Sequence, residues 1–68
     1  MNYHPPRSYV VRTRKGYDAR CYVTRSDDHN AFGRILAESS HRTLAAANKA
    51  AAQFHAHFGG SLEVRKEA

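Results

Sequence analysis

The fold is decided between residues 9 and 25, where the chain runs YVVRTRKGYDARCYVTR. Two segments rich in Val, Tyr and Thr, residue types that favour β-strands, flank Arg14-Lys15-Gly16. Within these segments apolar and polar residues alternate with a period of two, which is typical of a strand with one buried face. The pattern predicts a β-hairpin with strands at residues 8–13 and 17–24.

The register of this hairpin depends on the turn. If Arg14, Lys15 and Gly16 form a three-residue loop with Gly16 in the left-handed conformation, Thr13 pairs with Tyr17. A shift of one residue would move every side chain of a strand to the opposite face, so the loop length decides which residues meet a partner. The three-residue loop predicts an inner face of Tyr9, Val11, Tyr17, Ala19, Cys21 and Val23, and an outer face that carries Arg12, Arg20 and Tyr22.

A third strand is predicted after the hairpin. The polar stretch at residues 26–30 is typical of a loop, and residues 32–39 follow it with Ile35 and Ala37 on one phase. On that phase Leu36 faces outward with Arg34 and Glu38.

The chain then changes to an alanine-rich helical pattern. Thr43 is the expected N-cap, and Gly59-Gly60 is the expected stop. Apolar residues at spacings of three and four predict one stripe that lies on the sheet. The stripe consists of Leu44, Ala47, Ala51, Phe54 and Phe58. Residues 61–65, in which Leu62 and Val64 alternate with polar residues, are an optional edge strand.

The order strand, strand, strand, helix predicts an α+β fold, a three-stranded antiparallel sheet packed on one C-terminal helix, with a short fourth edge strand as an option. Residues 1–7, with Pro5-Pro6, are predicted to be a flexible N-terminal arm. Residues 8–65 form the single predicted domain, and residues 66–68 a charged tail.

Size and charge limit the function classes. The 68 residues bury a small core, so dimerisation or partner binding would support stability, and a homodimer is one expectation. Eleven Lys and Arg against six Asp and Glu give a formal charge of +5. This charge favours nucleic acid, DNA or RNA, or an acidic protein surface as partner, and disfavours acidic DNA mimicry.

The single cysteine, Cys21, falls on the inner phase and is predicted to be a buried structural thiol. No apolar run approaches the roughly 20 residues that span a bilayer, so no membrane partner is expected. Together these features predict a cytoplasmic protein.

Two stretches are similar to part of a double-stranded RNA-binding domain. Residues 16–23, GYDARCYV, and 33–37, GRILA, resemble its second and third strands, and residues 43–52, TLAAANKAAA, resemble its helix. The resemblance covers about residues 9–58 and includes no counterpart of that family's first helix. It implies the same strand order and contact with nucleic acid.

The predicted architecture also resembles two other groups. Arm-binding domains of tyrosine recombinases press a three-stranded sheet into the DNA major groove, which would assign contacts to Arg12, Arg20, Tyr22 and Arg34. In size and architecture the chain resembles small phage-encoded anti-defence proteins, including anti-CRISPR proteins. That second resemblance implies an inhibitor that binds a host nucleic-acid-handling protein complex.

No catalytic or metal-binding pattern is found in the sequence. His55 and His57 point about 200 degrees apart on a helix, and Asp27-Asp28-His29 lies in one loop without further ligands. We therefore predict a non-enzymatic binding protein without cofactor or metal. Guanidinium groups contact phosphates and a tyrosine ring stacks or packs on sugars. The predicted partner-binding residues are Arg12, Arg14, Lys15, Arg20, Tyr22 and Arg34.

Overall fold

The computed structural model describes residues 3–24 and 33–66. Its elements are β1 (Arg7–Arg12), β2 (Tyr17–Val23), β3 (Arg34–His41), α1 (Leu44–Phe58) and β4 (Ser61–Glu63). The strands form one sheet in the order β3-β2-β1-β4, packed on α1. The predicted α+β fold is confirmed, including the fourth edge strand.

The sheet contains both antiparallel and parallel strand pairs, because α1 carries the chain from β3 across to β4. Strands β1, β2 and β3 are joined in antiparallel fashion, whereas β4 pairs with β1 in parallel. The peptide N–H of Ser61 donates to the Pro6 carbonyl at 2.9 Å, which ties β4 to the segment just before β1. The helix therefore connects one edge of the sheet to the other.

The β1–β2 register differs by one residue from the predicted one. Arg12, and not Thr13, pairs with Tyr17, so the loop contains the four residues 13–16. The Thr13 N–H donates to the Gly16 carbonyl at 2.8 Å and closes this loop. Because side chains alternate along a strand, the extra loop residue turns β1 over. Ser8 and Val10 face the helix, and Tyr9 and Val11 face away from it.

The core is small and is built from short side chains. Its buried members are Val10, Ala19, Ala47, Ala50 and Ala51, and Tyr17, Leu44 and Phe54 pack against them. Since alanine ends at Cβ, the helix backbone approaches the sheet closely. Four members of the predicted stripe lie at this contact, but the fifth, Phe58, is 36% exposed and packs edge-on against the ring of His57 instead.

Both predicted helix ends are confirmed. The Thr43 hydroxyl accepts a hydrogen bond from the Ala46 N–H at 3.2 Å, which satisfies one of the unpaired amides of the first turn. At the other end Gly59 has φ 76°, a backbone conformation that favours glycine, and its N–H donates to the His55 carbonyl.

A β-bulge in β3 changes the predicted phase of that strand. Ala37 pairs with Cys21 and Ile35 pairs with Tyr22, so Leu36 is the extra residue between them. Ile35 and Ala37 were expected to share the inner side, but the bulge places them on opposite sides. Ile35 is 51% exposed. Arg34 pairs with Val23 on the helix side, so its predicted outward position is wrong.

The alanine contact predicts that size at Ala51 controls stability. We expect Ala51→Leu to lower the free energy of unfolding by about 1–3 kcal/mol, because the added carbons have no space between helix and sheet. Ala45→Leu makes the same change at an exposed position of the same helix and is expected to stay within about 0.5 kcal/mol of wild type. Urea denaturation measures both, and equal effects would contradict the close packing.

At Ser8 a substitution is expected to raise, and not lower, the free energy of unfolding. Its hydroxyl is buried opposite Cys21 and has no hydrogen-bond partner within the described part of the chain. Ser8→Ala removes this unsatisfied group and is expected to raise the free energy of unfolding by about 1 kcal/mol. Ser40→Ala, at an exposed site, serves as the control. A clear loss of stability in Ser8→Ala would mean that the hydroxyl is satisfied.

Candidate functional site

One side of the sheet is covered by α1, and no element of the described ranges covers the other side, which we call the open face. Residues paired across antiparallel strands project to the same side, so the register defines this face. Its three rows are Arg7, Tyr22 and Ile35; Tyr9, Arg20 and Glu38; and Val11, Asp18 and Ser40. The open face therefore carries two tyrosines that lie on adjacent strands.

An ion-pair cluster occupies the middle of the open face. The Arg20 Nε atom lies 2.6 Å from a Glu38 carboxylate oxygen, and its Nη2 atom lies 3.3 Å from an Asp18 oxygen. Partial desolvation opposes the charged form of Arg20, but Glu38 and Asp18 outweigh it and raise the pKa of the guanidinium above its ordinary value. Two carboxylates against one guanidinium leave this cluster with a net negative charge. Arg20 is thus held by protein groups and is a poor phosphate anchor.

The position of the Tyr22 ring depends on Gly33. A Cβ atom at Gly33 would overlap the tip of this ring, so the ring fills the space that any other residue would occupy there. The absence of a side chain at Gly33 therefore leaves room for the Tyr22 ring beside the backbone of the neighbouring strand. The ring is half-buried and keeps part of its surface accessible.

A basic groove of about 500 Å³ lies at the end of the sheet where the β1–β2 loop meets the start of the helix. Arg14 and Lys15 reach it from the loop, His41 reaches it from the end of β3, and Arg42 reaches it from the segment between β3 and α1. The carboxylate among the described lining residues belongs to Asp18, which already bonds Arg20. Thr13 and Ser40 complete the lining.

Gly16 brings the two halves of this groove together. Its φ of 151° favours glycine, and a Cβ atom there would overlap the backbone carbonyl of His41. The His41 ring is in turn held by the Ser39 hydroxyl, 2.7 Å from its Nε2 atom. The close approach of loop and strand end thus shapes the groove from two segments that are distant in sequence.

Comparisons with protein-family models, curated proteins and solved structures found no match for this chain. The resemblances to RNA-binding, recombinase and anti-defence proteins stay predictions.

The structure divides the six predicted partner-binding residues among four places. Arg14 and Lys15 line the basic groove, and Arg20 and Tyr22 lie on the open face. Arg12 ends β1 on the helix side, opposite Tyr17, because of the changed register. The expectation that Arg12 and Arg20 share one face is wrong.

The sixth predicted residue, Arg34, lies apart from both surfaces. It lines a more apolar groove with Val23, Leu36 and the segment Tyr3 to Pro6. In that segment the His4 N–H donates to the Thr24 carbonyl at 2.9 Å. Arg34 therefore does not extend the charged surface formed by Arg14 and Lys15.

Three contributors to the site were missed from the sequence. Tyr9 was expected on the inner face, and His41 and Arg42 were not among the predicted partner-binding residues. The run Arg14-Lys15 at a turn indicated a basic loop, but no local pattern indicated that the loop meets residues 41–42. That contact joins segments more than 20 residues apart.

Other candidate chemistry finds no support within residues 3–24 and 33–66. No group of three or more His, Cys, Asp and Glu side chains there is arranged to hold a metal ion. Cys21 is buried, as predicted. Asp27-Asp28-His29 lies outside the described residues. Among the described helices, none is long and apolar enough to cross a membrane.

The glycine contact generates a prediction with an internal control. We expect Gly16→Ala to lower the free energy of unfolding by roughly 3 kcal/mol or more, because positive φ and overlap with the His41 carbonyl act together. Gly59 also has positive φ but has no neighbouring atom in the way, so Gly59→Ala is expected to cost about 1–2 kcal/mol. Thermal unfolding monitored by circular dichroism compares the two. A smaller effect at Gly16 would argue against the loop contact.

Proposed function

We propose that this protein is a small non-enzymatic module that binds nucleic acid, with the basic groove as the site that holds the phosphate backbone. The observation that supports this proposal is the convergence of Arg14, Lys15 and Arg42 on one groove. Their positive charges come from two segments that the fold brings together. The carboxylate beside them, Asp18, is engaged by Arg20.

The chemistry of these side chains suits phosphate oxygens. An arginine guanidinium presents several N–H donors in a planar fork, and lysine adds a compact charge. Neutralising phosphates releases the counterions condensed on nucleic acid, which favours binding and makes it sensitive to salt. The net charge of +5 adds long-range attraction for a polyanion.

The proposal predicts a specific change in salt dependence. We expect the triple variant Arg14→Gln, Lys15→Gln, Arg42→Gln to reduce the magnitude of the slope of log affinity against log salt by about 2 to 3, at roughly 0.7 to 0.9 per lost phosphate contact. A control of equal charge, Lys49→Gln, Arg65→Gln, Lys66→Gln, removes the same number of positive charges at exposed positions outside the groove. Fluorescence anisotropy with labelled oligonucleotides, from low to near-physiological salt, measures both.

The control decides whether the groove or the net charge matters. If both triple variants lose the same slope, binding depends on total charge and not on the groove. If the wild-type protein binds neither DNA nor RNA at low salt, the proposed function is wrong. Circular dichroism of each variant verifies that the domain remains folded.

The second candidate is an inhibitor of the anti-CRISPR type, which binds a protein that itself handles nucleic acid. The observation that favours it is the half-exposed Ile35 beside Tyr22 on the open face, since buried apolar and tyrosine side chains anchor protein interfaces. Such a protein would bind bare oligonucleotides weakly at any salt concentration. Capture of a defined nucleoprotein complex, but not of its nucleic acid alone, would favour this candidate.

Self-association stays a prediction. The outer side of β3 is an edge of the sheet in the described chain, and an unpaired strand edge is able to pair with a second copy. Sedimentation equilibrium across the micromolar range would show whether the mass rises with concentration.

A further inference from the structure

The two tyrosines of the open face are neighbours. Tyr9 pairs with Arg20, and Tyr22 lies two residues further along the same strand, so the two tyrosines are diagonal partners on one side of the sheet. Diagonal positions in an antiparallel pair are separated by roughly 7–8 Å between backbones, within reach of aromatic rings. Both side chains are half-buried. The two tyrosines thus present aromatic side chains on the same side of adjacent strands, and the tip of the Tyr22 ring lies over Gly33, toward β3.

These two tyrosines lie between positive charges. Arg7 pairs with Tyr22 and is exposed at one end of β1, and the loop with Arg14 and Lys15 follows the other end. The five steps from Arg7 to Arg12 correspond to roughly 17 Å of strand. A ligand that lies along β1 therefore meets a cation, two tyrosines and then the basic groove.

The middle of the open face is unfavourable for binding phosphate groups. The cluster of Asp18, Arg20 and Glu38 has a net negative charge, and Arg20 is held by both carboxylates. A duplex laid across the sheet would place its phosphates against this cluster, with its base faces stacked inside and out of reach. An unpaired strand has neutral bases that rest on the face while its backbone follows the cationic ends.

We infer that the ligand is single-stranded nucleic acid, with unpaired bases stacked on Tyr9 and Tyr22 and the backbone held in the basic groove. This inference rests on the proposed function and adds the class of nucleic acid. Base stacking on aromatic side chains tolerates any sequence, because every base has a π-face. Gly33 contributes by leaving the space in which the Tyr22 ring is held.

The decisive comparison uses labelled 12-nucleotide single strands and hairpin duplexes of equal charge, each as DNA and as RNA. We expect the single strands to bind at least about ten-fold more tightly than the duplexes. Tyr9→Leu with Tyr22→Leu is expected to weaken single-strand binding by at least about 30-fold, since each base stack contributes several-fold or more. The salt slope of this variant should stay at the wild-type value because its phosphate contacts remain.

Two further variants test whether the loss of binding comes from the loss of aromatic rings on the open face. Tyr9→Phe with Tyr22→Phe retains the rings and is expected to bind nearly as the wild type does. Tyr3→Leu changes an exposed tyrosine outside the open face and is expected to have no effect. The chain contains no Trp, so its intrinsic fluorescence comes from its four tyrosines, of which Tyr9 and Tyr22 are two. Single-strand binding should quench this fluorescence in the wild type, and much less in the double Leu variant.

The outcomes distinguish a failure of the single-strand inference from a failure of the proposed function. Equal or tighter binding of the duplexes would overturn the inference, as would a folded double Leu variant with wild-type affinity for single strands. In either case, a salt slope of smaller magnitude in the basic-groove triple variant would still support the proposed function, nucleic-acid binding through the groove. Absence of binding to all four probes at low salt would instead reject the proposed function itself. A difference between the DNA and RNA arms would define the natural sugar.

Discussion

The contact between the alanine face of α1 and strands β1 and β2 is the constraint on which the rest of the structure depends. Ala47 and Ala51 are fully buried against the sheet, and Ala19 is fully buried beneath them. Side chains this short permit close approach of α1 to the sheet, but each buries little apolar area. The helix therefore packs on the side of the sheet that also carries small residues. On the opposite side of the sheet is the open face, which no described element covers.

Loop length then decides what the open face contains. With four residues between the strands, Tyr9 joins Tyr22 on the uncovered side, and Arg12 moves to the helix side. A loop of three would have buried Tyr9 and displayed Arg12. The difference of one residue separates a face defined by arginines from a face defined by tyrosines, and in the four-residue loop Gly16 packs against the backbone at His41.

Charge is distributed unevenly over this surface, and its distribution matters more than its total. Arg20 is compensated by Asp18 and Glu38, while Arg14, Lys15 and Arg42 gather at one end. A count of basic residues alone gives Arg20 the same weight as Arg14. The structure shows that the guanidinium of Arg20 binds its own neighbours.

Local signals in the sequence were enough for the α+β class, the helix with its caps at Thr43 and Gly59, the inward phase of β2 and the fourth strand. These features depend on periodicity, capping and glycine at a helix end, which act over a few residues. The β1 register, the bulge at Leu36, the basic groove and the tyrosine pair were decided by the tertiary structure. Each of them depends on a loop conformation or on contacts between distant segments, and many such arrangements are compatible with the same local pattern.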